Sequence, residues 1–253
     1  MKILSWNVNG IRAVSKKDAW QEVFSLSPDI VAIQETKATP EQLSETIINP
    51  KGYFSCFDSS KIRKGYSGVA IYSKVKPEKI EYGLGSDHMD MEGRLLTVHF
   101  KDVIVMNCYF PNGGKSEDHF LYKLEYYDLF LKRAKMLEKK KPVIFMGDIN
   151  ATVADIDLAR PKENAGKLGC TEDERMRLAK FTDAFVDTFR YKHGDVSKYT
   201  WWDMKTRARE RNVGWRIDYI FVSHSLQKNI YNADILDNVL GSDHCPVLLD
   251  IRI

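Results

Sequence analysis

The sequence has no uninterrupted apolar run of the roughly 18 residues that a membrane-spanning helix needs, so no span is expected. Neither a signal-peptide core nor a cleavage site fits ahead of the first strand-like run at Lys2, so no export or targeting segment is expected. Cysteine is scarce: Cys56, Cys108, Cys170 and Cys245 lie far apart, with no C-x-x-C pair. That disfavours a disulfide framework or a cysteine zinc site and suits a reducing cytoplasm. A charge excess of one sign is also missing, since 38 Lys+Arg against 35 Asp+Glu leave +3. With 11% aromatic residues, this excludes a mostly disordered chain. The small net charge hides local order. Basic residues gather at Lys61–Lys64 and Lys205–Arg216, so contact with a polyanion is expected through patches.

Several catalytic signatures are absent as well. No G-x-x-x-x-G-K-[ST] or G-x-G-x-x-G follows a strand, which argues against a nucleotide cofactor. No G-x-S-x-G elbow exists, which argues against serine hydrolase chemistry. There is no repeat of 20–50 residues and no Pro/Ser-rich linker.

What is present is a long interleaving of strands and helices. A chain of 253 residues buries roughly 70–75% of its unfolded surface and needs no staple. Ile3–Val8, Ile30–Gln34, Val69–Ser73, Leu95–Phe100, Val103–Phe110, Val143–Met146, Ile217–Val222 and Val247–Ile251 read as strands. Helical spacing marks Val14–Leu26 and Ser116–Glu138, the latter with a stripe from Phe120 and Leu121 to Leu137. Thr171–Phe185 opens on Thr171 and Glu174, a capping-box pattern. The expectation is one α/β domain over residues 1–253.

The polar residues that stand out lie where strands end. Asn7-Val8-Asn9 and Asp148-Ile149-Asn150 each present polar groups at i and i+2, which share a face in extended chain. The plain alternative is an Asx turn closing each strand. Glu35 ends the strand Ile30–Gln34 with a carboxylate, and together with Asp148 it suits a hard cation such as Mg²⁺. His244, in Gly241-Ser242-Asp243-His244-Cys245-Pro246, is a candidate acid, base or phosphate-polarising group. Its neighbour Asp243 points to the opposite face in extended chain, so Asp218 is the better candidate to orient it. Tyr109 and Asn112, in a strand-ending turn, are candidate donors to a phosphate oxygen. Arginines alternate with aromatics over Trp201–Trp215, a composition that suits phosphates and an unstacked nucleotide.

Together these segments resemble the exonuclease III family of abasic-site (AP) DNA endonucleases, within the wider endonuclease/exonuclease/phosphatase superfamily. The resemblance runs from Lys2 to Ile251. It rests on Ser5–Arg12, Gln34–Lys37, Lys64–Ala70, Glu92–Arg94, Tyr109–Asn112, Gly147–Asn150, Asp157–Lys162, Asn212–Tyr219 and Gly241–Pro246. It implies a DNase I-like four-layer α/β sandwich: two packed mixed β-sheets flanked by helices. It implies hydrolysis of the phosphodiester 5′ to an abasic site, giving 3′-hydroxyl and 5′-deoxyribose phosphate ends, with 3′→5′ exonuclease and 3′-trimming activity. Mg²⁺ is the implied cofactor, with Mn²⁺ able to substitute. The implied partner is duplex DNA carrying abasic sites or 3′-blocked ends, acted on by a cytoplasmic, nucleoid-associated monomer without an N-terminal regulatory tail.

Residue by residue, the resemblance makes Glu35 the principal metal ligand, with Asn7 near it and Asp243 a further ligand. Asp148 positions and deprotonates the attacking water beside Asn150. His244, oriented by Asp218, holds the scissile phosphate with Tyr109 and Asn112. The base is left open between Asp148 and His244, with Asp148 favoured. Asn164 falls on the neighbouring phosphate, and Arg12, Lys115, Lys205 and Arg209 on the phosphates or grooves. Trp201, Trp215 and Ile217 form an apolar pocket for the extruded sugar, which a missing base makes cheap to flip. Two rivals remain at this point: hydrolysis of another phosphoester by the same superfamily, and a DNA-binding module without catalysis.

Overall fold

Alternation along the strands decides what meets what. The structure is a computed structural model describing residues 1–253. Strands β1 (Lys2–Asn7), β2 (Ile30–Gln34), β3 (Phe54–Asp58), β4 (Val69–Ser73), β11 (Ile230–Ile235) and β12 (Val247–Ile251) form one sheet, in the order β11-β12-β1-β2-β4-β3. Strands β5 (Lys79–Tyr82), β6 (Leu95–His99), β7 (Ile104–Tyr109), β8 (Val143–Asp148), β9 (Phe185–Asp187) and β10 (Asp218–Ser223) form the other, in the order β5-β6-β7-β8-β10-β9. The helices are α1 (Ile11–Val14), α2 (Asp18–Ser25), α3 (Glu45–Ile48), α4 (Glu117–Glu138), α5 (Pro161–Asn164), α6 (Glu172–Ala184) and α7 (Thr188–His193). None is long and apolar enough to cross a membrane.

The sheets pack face to face over an inner core that includes Ile3, Ala32 and Ile71 from one and Val105, Ile144, Met146 and Ile220 from the other. The outer face of the second sheet is closed by α4 and α6, whose Tyr127, Phe130 and Phe181 meet Phe110, Phe145 and Phe221. Each such ring contributes about 1.5–3 kcal/mol by leaving water. The outer face of the first sheet is closed by α2, where Trp20 and Val23 meet Leu4, Trp6, Ile33 and Tyr72. This is the expected helix–sheet–sheet–helix sandwich.

Each sheet contains a single parallel pair, β1 with β2 and β7 with β8; every other pairing is antiparallel. Parallel strands end on the same side. Asn7, Gln34, Tyr109 and Asp148 therefore finish at one edge of the sandwich. Antiparallel β10 starts there, with Asp218 opposite Asp148 in register. Period-two alternation then sets the face. Ile144 and Met146 point inward while Val143 and Phe145 point outward, so Asp148 points inward; the same count puts Asn7 and Asp218 inward. Gly147 has φ 138°, and a Cβ there would lie 1.8 Å from the Cys108 carbonyl oxygen, so only glycine allows β8 to lie this close to β7.

The eight strands expected from sequence are present, within two residues at each end. The four that were not anticipated are β3, β5, β9 and β11, and these are the four sheet edges. Helix expectations also shift. Of the expected Val14–Leu26 only Asp18–Ser25 is helical as α2, and Val14 instead ends the separate short helix α1. Thr171 and Ser116 are N-caps, each accepting a hydrogen bond from the backbone N–H three residues on. In α4, Leu121 is exposed at 55% and the fully buried polar residue is Lys123, which the apolar stripe does not include.

Candidate active site

Both strand-end motifs are Asx turns, and both are also part of the site. Asn7 Oδ1 accepts the Asn9 N–H at 2.9 Å, and Asp148 Oδ1 accepts the Asn150 N–H at 2.8 Å. Asn9 and Asn150 are left-handed, with φ 47° and 59°. The expectation that i and i+2 share a face is therefore corrected for the first motif, where the chain turns and the two side chains part; in the second, Asn150 still reaches back, its Nδ2 donating to Asp148 Oδ2 at 3.3 Å. Asn7 Nδ2 donates to Asp148 Oδ2 at 2.8 Å, across the two sheets, while Asn9 Nδ2 donates to Asp243 Oδ1 at 2.9 Å. Asn7 thus sits against Asp148, with both polar ends of its amide engaged.

Asp148, Asp218 and His244 form a buried cluster, 1%, 2% and 4% exposed. His244 Nδ1 lies 2.8 Å from Asp218 Oδ2, and its Nε2 lies 3.9 Å from Asp148 Oδ2. Burial works against charge on His244. Asp218, through its charge and hydrogen bond, and then Asp148 and Asp243 outweigh it and hold the imidazole well above its ordinary value. Asp148 is raised by burial first and by the charge of Asp218 second, against the pull of His244. Asp218 Oδ1 is buried without a hydrogen-bond partner. The loop carrying His244 is fixed on both sides: Trp6 Nε1 donates to the His244 carbonyl at 3.2 Å, and the Cys245 N–H to the Thr200 carbonyl at 2.8 Å.

A cleft of about 470 Å³ opens over this cluster and reaches Asn9, Glu35, Tyr109, Asn112, Asn150 and Asp243. On its other wall Glu35 and Lys37 are both left-handed, with φ 56° and 50°. The Lys37 ammonium sits 2.9 Å from Glu35 Oε1 and also donates to Asn9 Oδ1. An ammonium drawn among oxygen donors marks a place that favours a cation. Glu35, Asn9 and Asp243 supply hard oxygens there, and Asp148 lines the same cleft, so the residues present fit a hard divalent ion. Asp148, Asp218 and His244 also bring their ligand atoms within 4.8 Å of one another. His244 Nδ1 is already engaged by Asp218, whereas Glu35, Asn9 and Asp243 offer hard oxygens to the open cleft, so the Glu35 side is the better place. Asp243 is held below its usual range although burial opposes this, because His244, Asn9 and Trp201 stabilise its charge.

The aromatic wall assembles from two loops bridged by their backbones, with the Trp201 and Trp215 N–H groups and carbonyls exchanged at 2.9 Å. The rings meet edge to face, centroids 6.1 Å apart, and Ile217 completes the wall. Tyr109 is clamped by Arg94, whose guanidinium lies 4.8 Å from the ring centroid and donates to the Tyr109 carbonyl at 3.0 Å. Asn112 Nδ2 donates to Asn150 Oδ1 at 3.1 Å.

The basic residues divide. Arg12, Lys115 and Lys205 are exposed, with Lys115 Nζ 5.0 Å from the Tyr66 ring centroid. Arg209 differs from expectation: it stacks on Trp202 at 4.5 Å and donates to the carbonyls of Asp237, Val239 and Ser242, so it clasps two loops. Asn164 closes α5 by donating to the Arg160 carbonyl and does not line the cleft. Lys37, Leu168 and Gly169 do line it and were not singled out in sequence. Lys37 does stand in the Gln34–Lys37 block, without a role of its own; Gly169 is set by the structure, with φ 88° and a Cβ that would meet the Trp215 ring at 2.8 Å.

Residues 4–244 match the family described as Endonuclease/Exonuclease/phosphatase. An exodeoxyribonuclease of Bacillus subtilis is 41% identical over the whole of both chains. The DNA repair nuclease APEX1 of Danio rerio is 36% identical, covering all of this chain and 83% of its own. The solved structure of an AP endonuclease from Archaeoglobus fulgidus superimposes over all of both chains with a TM-score of 0.89 at 30% identity. Joined to a DNase I-like sandwich whose strand ends carry carboxylates and a histidine into one cleft, these likenesses establish that the chain belongs to the endonuclease/exonuclease/phosphatase family, on its exodeoxyribonuclease and AP endonuclease side.

Proposed function

We propose that this chain, a hydrolytic nuclease of DNA repair, cuts the DNA backbone 5′ to an abasic site and also trims 3′ ends. The observation that carries the reading is the contact of Asp148, His244 and Asp218 beneath a cleft walled by Trp201, Trp215 and Ile217. The aromatic wall favours an extruded sugar over the headgroup of a small phosphoester, because a baseless nucleotide offers apolar surface and no base edge.

Asp148 is the residue assigned to the water. It is raised toward proton affinity, and Asn7 and Asn150 fix its direction. His244, kept charged by Asp218, offers Nε2–H to the phosphoryl oxygen where charge builds. Tyr109 and Asn112 hold the same phosphate from the β7 end. Glu35, with Asn9 and Asp243 beside it, holds a divalent cation, proposed as Mg²⁺ with Mn²⁺ as substitute. When bound, such an ion polarises the phosphoryl oxygen and neutralises the departing 3′ oxygen. Arg12, Lys115 and Lys205 are proposed to follow the DNA backbone, with Asn164 near the phosphate beside the lesion. We read residues 1–253 as one catalytic domain, acting as a cytoplasmic monomer.

The test is a labelled duplex with one abasic analogue, incubated with Mg²⁺ or with EDTA, and its product ends identified. A single Mg²⁺-dependent cut leaving 3′-hydroxyl and 5′-deoxyribose phosphate is expected. Cleavage equal in EDTA, or none at the lesion, contradicts the reading.

A further inference from the structure

Lys123 and Glu174 form an ion pair with no solvent exposure on either side chain, Nζ to Oε1 at 2.5 Å. It joins α4 to α6 directly behind the cleft. Lys123 Nζ also donates to the Asn150 carbonyl at 2.9 Å. Glu174 Oε2 accepts from the Gly169 N–H at 2.8 Å and from the Thr171 N–H and hydroxyl at 3.0 and 2.8 Å. Gly169 in turn leaves no room beside the Trp215 ring, and its carbonyl accepts the Thr152 N–H at 2.8 Å.

Fold stability is a poor explanation for this pair. Replacing a buried ion pair by apolar residues of similar volume is often neutral or stabilising. What the pair does hold is the backbone at two functional points. One is Asn150, left-handed at φ 59°, whose N–H directs the Asp148 carboxylate. The other is Gly169, against which Trp215 rests. A left-handed asparagine persists only where its surroundings fix it.

We infer that Lys123 and Glu174 are positioning residues that hold the Asp148–Asn150 turn and the Trp215 wall in one register, so that a sugar seated against Trp215 presents its phosphate to Asp148. The inference rests on the roles given to Asp148, Asn150 and Trp215 above. Toward the cleft the pair acts only through backbone groups, the Asn150 carbonyl and the Gly169 N–H, so its removal lowers turnover and leaves the affinity for DNA nearly unchanged.

The experiment compares Lys123→Met with the double variant Lys123→Met/Glu174→Leu, which leaves no buried charge. Melting temperature is read beside kcat and KM on the abasic duplex, well below either melting point. The single variant is expected to melt roughly 10 °C lower, and the double variant to recover most of that. Turnover is expected to stay at least tenfold down in both, with KM within threefold of the parent. Recovery of turnover together with stability overturns the inference. Glu174→Gln, which keeps the fold's shape but removes the anion that aims Lys123, is expected to lose at least threefold in kcat; parental turnover there also overturns it. Asn150→Ala is the control. If it cuts normally, the reading of the site falls and takes this inference with it; if it is crippled while the double variant is not, this inference alone falls.

Discussion

The two walls of the cleft are built in opposite ways. Asp148, Asp218 and His244 are buried and hydrogen-bonded to one another or to neighbouring turns; sheet register fixes Asp148 and Asp218, and the loop bonded to Trp6 and Thr200 fixes His244. Glu35 and Lys37 are part-exposed, at 17% and 34% of their side chains, and pair with each other from left-handed backbone. The buried wall is preset, so no reorganisation is needed when charge develops on a phosphate. On the open wall the Lys37 ammonium is held by Glu35 and Asn9 in partial contact with water, which suits exchange for the ion proposed there. Chemistry and cation binding are thus assigned to different kinds of structure within one cleft.

Four measurements break or sharpen that contrast. Asp148→Asn keeps the shape of the buried wall, so binding of an abasic duplex is expected to stay within threefold while kcat falls by roughly 10³ or more, as for an interaction made in the transition state. A fall of less than tenfold removes Asp148 from the chemistry. Glu35→Gln acts on the open wall: calorimetric Mn²⁺ affinity is expected to drop at least tenfold, with melting temperature little changed. Equal Mn²⁺ affinity moves the ion elsewhere. Trp215→Ala is expected to reduce the preference for abasic over intact duplex about tenfold, in line with one aromatic contact of about 1–3 kcal/mol. Equal losses on both duplexes contradict the sugar-pocket role. The smallest effect separates two basic residues. Lys205→Ala is expected to lower the salt dependence of duplex binding by about one phosphate contact. Arg209→Ala is expected to lower melting temperature and leave that slope unchanged, because its guanidinium is held by three carbonyls.

Much of this arrangement is legible in the residues. The inner strands announce themselves as apolar runs; the rule that adjacent residues face apart sets Asp243 aside, and Asp218, the candidate offered from another strand, is the partner His244 has. The edge strands do not announce themselves. Lys79–Tyr82 and Ile230–Ile235 carry charged or polar residues on one side, as exposed edges do, and Phe185–Asp187 is too short to show a period. Contacts between the sheets are also hidden. Asn7 reaches Asp148 over 141 positions of sequence, and only the packed sandwich brings them together. Lys123 reads as a polar position on α4 because its partner Glu174 is a capping-box residue of another helix. Asn9 misleads for a local reason. Its side chain satisfies alternation only if the strand continues, and it turns left-handed there.

The central claim is that the buried wall works as one preset unit in which Asp218 acts through His244. The most direct test is kcat on the abasic duplex for Asp218→Asn, His244→Asn and the two together. A unit predicts that the double variant is within threefold of His244→Asn alone, since Asp218 has nothing left to orient. Losses that multiply would show two independent contributions and contradict the account.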